Sequence, residues 1–143
     1  MNNDNFKKNL FVRLPLIIHW ITILILTSLP SDSLPTVGLS DKWQHFLAYF
    51  VLSFFLFYNL EIQKKYLHLR NYALISTIII CSVYGAVDEI HQLFIPGRAA
   101  EFIDWIANFL GTLAGSFLAL YFLNRFKNFI YSFLRIKLEP LSE

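Results

Sequence analysis

The chain has 143 residues, of which 56% are hydrophobic, 17% aromatic and only 15% charged. So little polar sequence cannot cover the surface of an ordinary soluble domain, which argues against a soluble helical bundle. The length has room for one domain, and we expect residues 1–143 to form it. The formal net charge is only +2, and no nucleic-acid partner is expected.

Four long apolar windows predict four membrane-spanning helices. Each window is close to the roughly 20 residues that an α-helix needs to cross a bilayer core. The windows cover residues 14–30, 43–60, 71–93 and 102–123. The sequence therefore predicts an all-α polytopic membrane protein, built as a bundle of four transmembrane helices.

The first window follows basic residues, as the apolar part of a signal peptide does. It ends in "LTSLPSDSLP", however, which lacks an A-x-A-type cleavage site. We therefore expect it to be retained as the first membrane helix.

Basic residues are distributed unevenly between the two ends of the predicted helices. Ten of the twelve precede the first window, separate the second from the third, or follow the fourth: Lys7, Lys8, Arg13, Lys64, Lys65, Arg70, Arg125, Lys127, Arg135 and Lys137. By the positive-inside rule, both termini are expected in the cytoplasm. Residues 31–42 and 94–101 are then extracytoplasmic.

Residues 124–137 follow the last window with apolar side chains at helical spacing and several basic residues. This segment is too basic to span a membrane. We expect an amphipathic tail that either continues the fourth helix or lies in the inner interface.

Polar side chains gather where three of the predicted helices share one end. The second helix begins with "DKWQH" (residues 41–45), the third ends with "DEIHQ" (88–92), and the fourth begins with "EFIDWIAN" (101–108). Arg98 lies in the short turn between the third and fourth helices. We therefore expect these groups to meet at one depth, at the extracytoplasmic ends of the helices.

The helical repeat places these residues in stripes. Asp41 and His45 are four residues apart, and Tyr84, Asp88 and His91 share one face of the third helix. Such stripes can all point into the bundle.

A further stripe runs along the fourth helix, where Asp104, Asn108, Gly111 and Gly115 share a face. The two glycines form the G-x-x-x-G spacing that lets helix backbones approach closely in lipid.

Polar residues at helix ends are often simply solvated, and for Lys42, Glu89 and Glu101 that interpretation weighs as much as a functional one. Ionisable groups deeper in a membrane helix are costly and are usually paired or functional. A functional site is therefore favoured for the deeper set, which comprises His45, Asp88, Asp104 and Asn108. His19 and His68 lie away from this set.

Three blocks of the sequence, "DKWQHFLAYFVL", "YGAVDEIHQLFIPGR" and "DWIANFLGTLAG", together resemble the VanZ-like family of bacterial integral membrane proteins. The resemblance covers about residues 41 to 115. The residues that match the family pattern are Asp41, Lys42, His45, Phe46, Asp88, Glu89, Gln92, Arg98, Asp104, Asn108 and Gly111.

The resemblance implies a multi-pass protein of the bacterial cytoplasmic membrane with a role in the cell envelope. The family takes its name from a member linked to resistance to the glycopeptide teicoplanin. An effect on glycopeptide susceptibility is therefore an expectation for this chain.

The first functional hypothesis is an enzyme, a phosphoryl or ester hydrolase or transferase, that acts on a lipid-linked substrate at the outer leaflet. A histidine can serve as general acid, base or nucleophile near neutral pH. His45, Asp88 and Asp104 are the candidate catalytic residues. Either Asp41 or Asp104 could orient the imidazole of His45.

The remaining polar residues are candidates for binding the substrate: Asp41, Lys42, Glu89, Gln92, Arg98 and Asn108. A guanidinium fork fits two phosphate oxygens at once, so Arg98 is expected to hold a phosphate with Lys42 beside it. The Pro-Gly turn is expected to fold Arg98 back towards Asp88, close enough for the two to pair. Cofactors are unknown, and a divalent metal is not favoured, because no H-E-x-x-H or similar spacing occurs.

Two alternatives remain open. The cluster is either a structural or ligand-binding network of a non-catalytic envelope protein, or part of a small transporter. Four helices are few for a transporter, which would then act as a homo-oligomer. In each case the expected partners are membrane lipids or a lipid-linked cell-wall precursor.

Overall fold

The computed structural model describes residues 3–33 and 38–134 of the chain. These residues form helices joined by short connections, and no strand occurs among them. The helices are α1 (Asn3–Lys8), α2 (Leu14–Thr27), α3 (Asp41–Ile62), α4 (Leu67–Asn71), α5 (Ala73–Gln92) and α6 (Phe102–Phe133). A π-helical segment, Asn9–Arg13, joins α1 to α2, and a 3-10 turn, Ser31–Ser33, follows α2.

Four helices in the described part of the chain are long and apolar enough to cross a membrane, which confirms the predicted architecture. They span Phe6–Thr27, Asp41–Ile62, Ala73–Gln92 and Phe102–Phe133. The first therefore begins before the predicted window, because α1, the π-helical segment and α2 follow one another without a break.

The predicted tail is a direct continuation of the fourth span. α6 runs on to Phe133 and departs from helical backbone angles at Phe126, with φ −122° and ψ 23°. Near its end, Phe133 packs edge-on against Phe11, with ring centroids 5.1 Å apart. Residues 135–137 of the predicted tail lie outside the described residues.

The close contact between α3 and α6 depends on two glycines. A Cβ atom at Gly111 would collide with the carbonyl oxygen of Phe46, and one at Gly115 with that of Phe50. Only a residue without a side chain lets the two backbones approach this closely. The predicted role of the G-x-x-x-G spacing is thus confirmed.

The helices α2 and α5 complete the bundle through polar and aromatic contacts. The Nε1–H group of Trp105 in α6 donates to the carbonyl oxygen of Ser82 in α5, at 3.1 Å. His19 in α2 lies 2.8 Å from the carbonyl oxygen of Ala48 in α3 through Nε2, and it is separate from the polar residues at the helix ends. These contacts hold α5 against α6 and α2 against α3.

Candidate functional site

Three helices and one turn bring ten polar residues together at one end of the bundle. We call this set the polar cluster; it comprises Asp41, Lys42, His45, Asp88, Glu89, Gln92, Arg98, Glu101, Asp104 and Asn108. Six of its members are buried, namely His45, Asp88, Glu89, Gln92, Asp104 and Asn108. The i, i+4 spacing of these residues turns each stripe towards the neighbouring helices rather than towards lipid.

His45 lies at the centre of the cluster. Its Nδ1 atom is 3.1 Å from Asn108 Oδ1 and 3.6 Å from Glu89 Oε1, while its Nε2 atom is 3.7 Å from Asp41 Oδ1. The Asn108 side chain also donates from Nδ2 to Glu89 Oε1, at 3.4 Å. His45, Asn108 and Glu89 thus form a buried triangle that joins α3, α5 and α6.

Lys42 is neutralised by carboxylates. Its Nζ atom lies 2.5 Å from Glu101 Oε2, 2.7 Å from Asp104 Oδ1 and 4.0 Å from Asp41 Oδ2. The backbone N–H of Glu101 in turn donates to Glu89 Oε2, at 3.2 Å. The start of α6 is therefore tied both to the start of α3 and to the end of α5.

Arg98 is held differently from what the sequence predicts. Its Nε–H donates to the carbonyl oxygen of Leu29 at 3.3 Å, and its Nη2–H donates to that of Leu26 at 3.0 Å. No ion pair within 4 Å joins Arg98 to Asp88 or to another carboxylate of the described residues, so the predicted pairing was wrong. Leu26 lies in the last turn of α2 and Leu29 just after it, where carbonyl oxygens lack the full set of helical hydrogen bonds, and these two accept from the guanidinium instead.

The turn that carries Arg98 has the predicted geometry. Gly97 has a positive φ of 73°, and the backbone N–H of Ser31 donates to the carbonyl oxygen of Pro96 at 3.4 Å. The turn therefore packs on the segment after α2, which is why Arg98 reaches the end of that helix.

A cavity of about 190 Å³ lies between α2, α3 and α5, next to the polar cluster. Four predicted site residues line it, namely Asp41, His45, Asp88 and Arg98. The side of α2 contributes Ile23, Leu26 and Thr27, and the remaining lining residues are Gln44, Ala48 and Tyr49. One cavity thus presents charged groups beside an apolar wall.

The other predicted site residues lie behind or beside the cavity lining. Lys42, Glu89, Asp104 and Asn108 form the connected network described above. Gln92 is buried, and its Nε2 atom has no hydrogen-bond partner among residues 3–33 and 38–134. His91 points elsewhere, with Nε2 3.0 Å from the Ser28 hydroxyl.

Two residues are more closely involved with the polar cluster than their sequence positions predict. Glu101 was treated as equally consistent with a solvated helix end, yet it pairs with Lys42. Tyr49, which is buried, donates from its hydroxyl to Asp88 Oδ2 at 3.4 Å. Its position four residues after His45 was the signal that could have found it.

One subset of the cluster has the side chains of a metal site. A potential ligand atom from each of Asp41, His45 and Asp104 lies within 4.8 Å of the other two. These residues come from two different helices, so no single sequence motif contains all three of them.

Four apolar spans around a shared set of buried polar residues define a multi-pass membrane protein with a polar cluster at one end of its bundle. The family model described as VanZ/LLP1 matches residues 3–124, so the chain belongs to the VanZ/LLP1 family. No curated protein and no solved structure matches the chain.

Proposed function

We propose that the polar end of the bundle recognises the headgroup of a lipid-linked or phosphate-bearing component of the bacterial cell envelope. The observation that carries this proposal is the cavity, which has carboxylate, imidazole and guanidinium groups beside the apolar wall of α2. A lipid headgroup close to its acyl or prenyl chain has the same two-sided character. Pockets that combine apolar walls with a few placed polar groups are typical of ligand sites.

Arg98 is the best-placed group for an anionic headgroup. A guanidinium has five N–H donors, and the bonds to Leu26 and Leu29 use two of its nitrogens. Arg98 lines the cavity, so the N–H donors that do not bond to Leu26 or Leu29 are available to a phosphate oxygen in the cavity. Lys42 supports a phosphate less directly, since Glu101 and Asp104 already neutralise it.

A catalytic variant of this function is favoured by the position of His45. The ring is buried and oriented by Asn108, and its Nε2 edge faces Asp41 at the cavity. An imidazole fixed in this way can exchange a proton with a bound headgroup. Asp88, held by Tyr49 in the same cavity, is the second group positioned for acid–base work.

The proposal places the polar end at the outer leaflet of the cytoplasmic membrane. The basic residues concentrate at the opposite ends of the spans, which is the support for this orientation. In that setting the site meets components that are assembled on the cell surface, and altered glycopeptide susceptibility, including that to teicoplanin, is the expected phenotype.

The test is a binding and turnover assay with purified full-length protein and a panel of lipid phosphates and lipid-linked cell-wall precursors. Arg98→Gln and His45→Ala should each weaken binding or abolish turnover. The matched controls are Arg125→Gln and His68→Ala, which change an exposed arginine and an exposed histidine far from the cluster.

The outcomes separate the alternatives. Turnover that His45→Ala removes supports the enzyme, whereas saturable binding without turnover supports a non-catalytic headgroup receptor. If no member of the panel binds, or if the site variants and controls behave alike, the polar cluster is a structural network and the proposal is wrong.

A further inference from the structure

The polar cluster has more acidic than basic side chains. It contains five carboxylate residues (Asp41, Asp88, Glu89, Glu101 and Asp104) but only two permanently basic ones (Lys42 and Arg98). Lys42 is already paired with carboxylates, and Arg98 uses part of its guanidinium on the carbonyl oxygens of Leu26 and Leu29. An anionic ligand therefore meets more acidic than basic groups, an imbalance that a bound cation would offset.

His45 has one ring nitrogen that is oriented for such a cation. The Asn108 oxygen accepts hydrogen bonds, so Nδ1 of His45 carries the hydrogen in their 3.1 Å contact. In the neutral ring, Nε2 then presents a lone pair. No hydrogen bond from the described residues reaches Nε2, and the nearest carboxylate oxygen, on Asp41, is 3.7 Å away, too far for a hydrogen bond.

This arrangement is the usual one for a metal-bound histidine. Such a histidine donates its second ring N–H to a neighbouring oxygen, which fixes the tautomer and the orientation of the ring. Here the side-chain oxygen of Asn108 is that neighbouring oxygen. The amide of Asn108 is itself held by Glu89, which accepts a hydrogen bond from it. The His45 side chain is 9% exposed, so its free nitrogen faces the cluster rather than bulk solvent.

Two carboxylates complete the ligand set. Asp41 lies one turn before His45 on α3, and Asp104 reaches the same point from α6, so that one atom of each residue lies within 4.8 Å of the others. We propose that Asp41, His45 and Asp104 together bind one divalent cation. A set of two carboxylates and one imidazole suits Mn²⁺ or Zn²⁺ better than it suits an ion that prefers oxygen ligands alone.

Three protein ligands leave open coordination positions on such an ion. An oxygen of a phosphate can occupy one of them, as happens in sites where a metal bridges protein and phosphate. This bridging role rests on the proposed headgroup function, whereas cation binding itself does not depend on it. While an ion is bound, His45 Nε2 is a ligand and cannot also exchange a proton, so acid–base work in that state is left to Asp88. Asp41 and His45 line the cavity, so the ion and the headgroup would share one compartment.

The ammonium group of Lys42 competes with the cation for the carboxylate ligands. This group lies 2.7 Å from Asp104 and 4.0 Å from Asp41, two of the three proposed ligands. A divalent ion must displace this charge from Asp104 before it binds. Removal of Lys42 should therefore strengthen cation binding, and the loss of binding in the ligand variants is what distinguishes a specific site from general attraction to acidic groups.

The experiment uses metal-free full-length protein in an uncharged detergent without added lipid, titrated with Mn²⁺ and followed by the electron paramagnetic resonance signal of the free ion. We expect saturable binding of one ion per chain. Asp41→Asn and His45→Ala should each weaken it by at least about tenfold, since even outer partners of metal ligands contribute that much. Lys42→Gln should tighten it by a similar factor.

The controls and contrary outcomes are specific. Asp32→Asn removes an exposed acid after α2 that is not among the ligands, and it should leave the affinity unchanged. Asp41 is itself 52% exposed, so Asp41→Asn is expected to fold even where a buried variant does not. The assignment is wrong if neither the unmodified protein nor Lys42→Gln binds one ion, if Asp41→Asn binds as tightly as the unmodified protein, or if Lys42→Gln weakens binding.

Failure of this inference can be told apart from failure of the proposed function. Manganese binding in a protein that recognises no lipid phosphate supports the cation site and overturns the headgroup function. Recognition of a lipid phosphate that is unchanged after treatment with a chelator supports the headgroup function and overturns the bridging ion.

Discussion

The Nδ1 atom of His45 and the Oδ1 atom of Asn108 lie 3.1 Å apart in the buried interface between α3 and α6. Asn108 also donates to Glu89 on α5, so one amide joins three helices. Such a group satisfies two buried partners at once, and its loss leaves both of them without that bond.

Asn108→Ala should therefore lower the free energy of unfolding by about 1–3 kcal/mol, the cost of leaving buried polar groups unpaired. The measurement is reversible unfolding in mixed micelles. Asn124→Ala is the matched control, because Asn124 is an exposed residue of the same helix and its loss should change little. Equal effects of the two substitutions would contradict the structural role of Asn108.

The glycines of the bundle should differ in their tolerance of alanine. A methyl group at Gly111 collides with the Phe46 carbonyl oxygen, so Gly111→Ala should cost about 1–3 kcal/mol through overpacking. At Gly85 the nearest atoms, on Asn108 and Tyr49, would be 3.4 Å away, which is ordinary contact. Gly85→Ala should be near neutral in the same unfolding assay, and a reversed order would refute the packing described here.

The turn glycine Gly97 can be compared with Gly38. Both have a positive φ, 73° and 68°, but a side chain at Gly97 would also collide with Ser31, whereas no described residue lies within 4 Å of one at Gly38. Gly38→Ala should cost only the backbone strain, about 1–2 kcal/mol, and Gly97→Ala should cost more.

A second substitution separates the two contributions at Gly97. The Gly97→Ala, Ser31→Gly double variant should recover the steric part of the loss but keep the strain. Thermal stability in detergent is the measurement, and no recovery at all would show that Ser31 does not limit the turn.

Arg98 should hold the end of α2 in place. Arg98→Gln removes the guanidinium that donates to the Leu26 and Leu29 carbonyl oxygens. Amide hydrogen exchange in residues 26–29 should accelerate by about three- to tenfold, which corresponds to hydrogen bonds of roughly 0.5–1.5 kcal/mol. Arg13→Gln changes an arginine that bonds Asn9 within the same helical segment, and it should leave this exchange unchanged.

The predicted orientation can be tested with reporters. Because ten of the twelve basic residues flank one set of helix ends, a reporter after Glu143 should be active only as a cytoplasmic fusion. A reporter inserted near Ser33 should be active only outside the cytoplasm. The opposite pattern would move the polar cluster to the inner leaflet and remove the support for surface-exposed substrates.

Much of the fold could be predicted from local patterns. Apolar windows of about 20 residues predicted the four spans, because a single segment of that length satisfies its backbone hydrogen bonds in lipid only by forming a helix. Helical spacing likewise placed Asp41 and His45, and Asp104 and Asn108, on shared faces. The helix ends were less predictable, since α6 continues to Phe133 through a segment with mixed apolar and basic residues.

The partners of the charged groups could not be predicted in the same way. The turn was expected to fold Arg98 back towards Asp88, but the guanidinium donates to the carbonyl oxygens of Leu26 and Leu29 instead. Sequence spacing describes neighbours on one helix, whereas this choice depends on where a different helix ends.

The sequence by itself determined that this chain has four membrane-spanning helices and that its buried charges lie near one end of them. Periodicity and hydrophobic length act within a single helix, so they can be read residue by residue. Only the tertiary structure decided which charges meet. The close approach of α3 and α6 at Gly111 brings Asp104 to Lys42 and Asn108 to His45, and that approach is a property of two helices in contact.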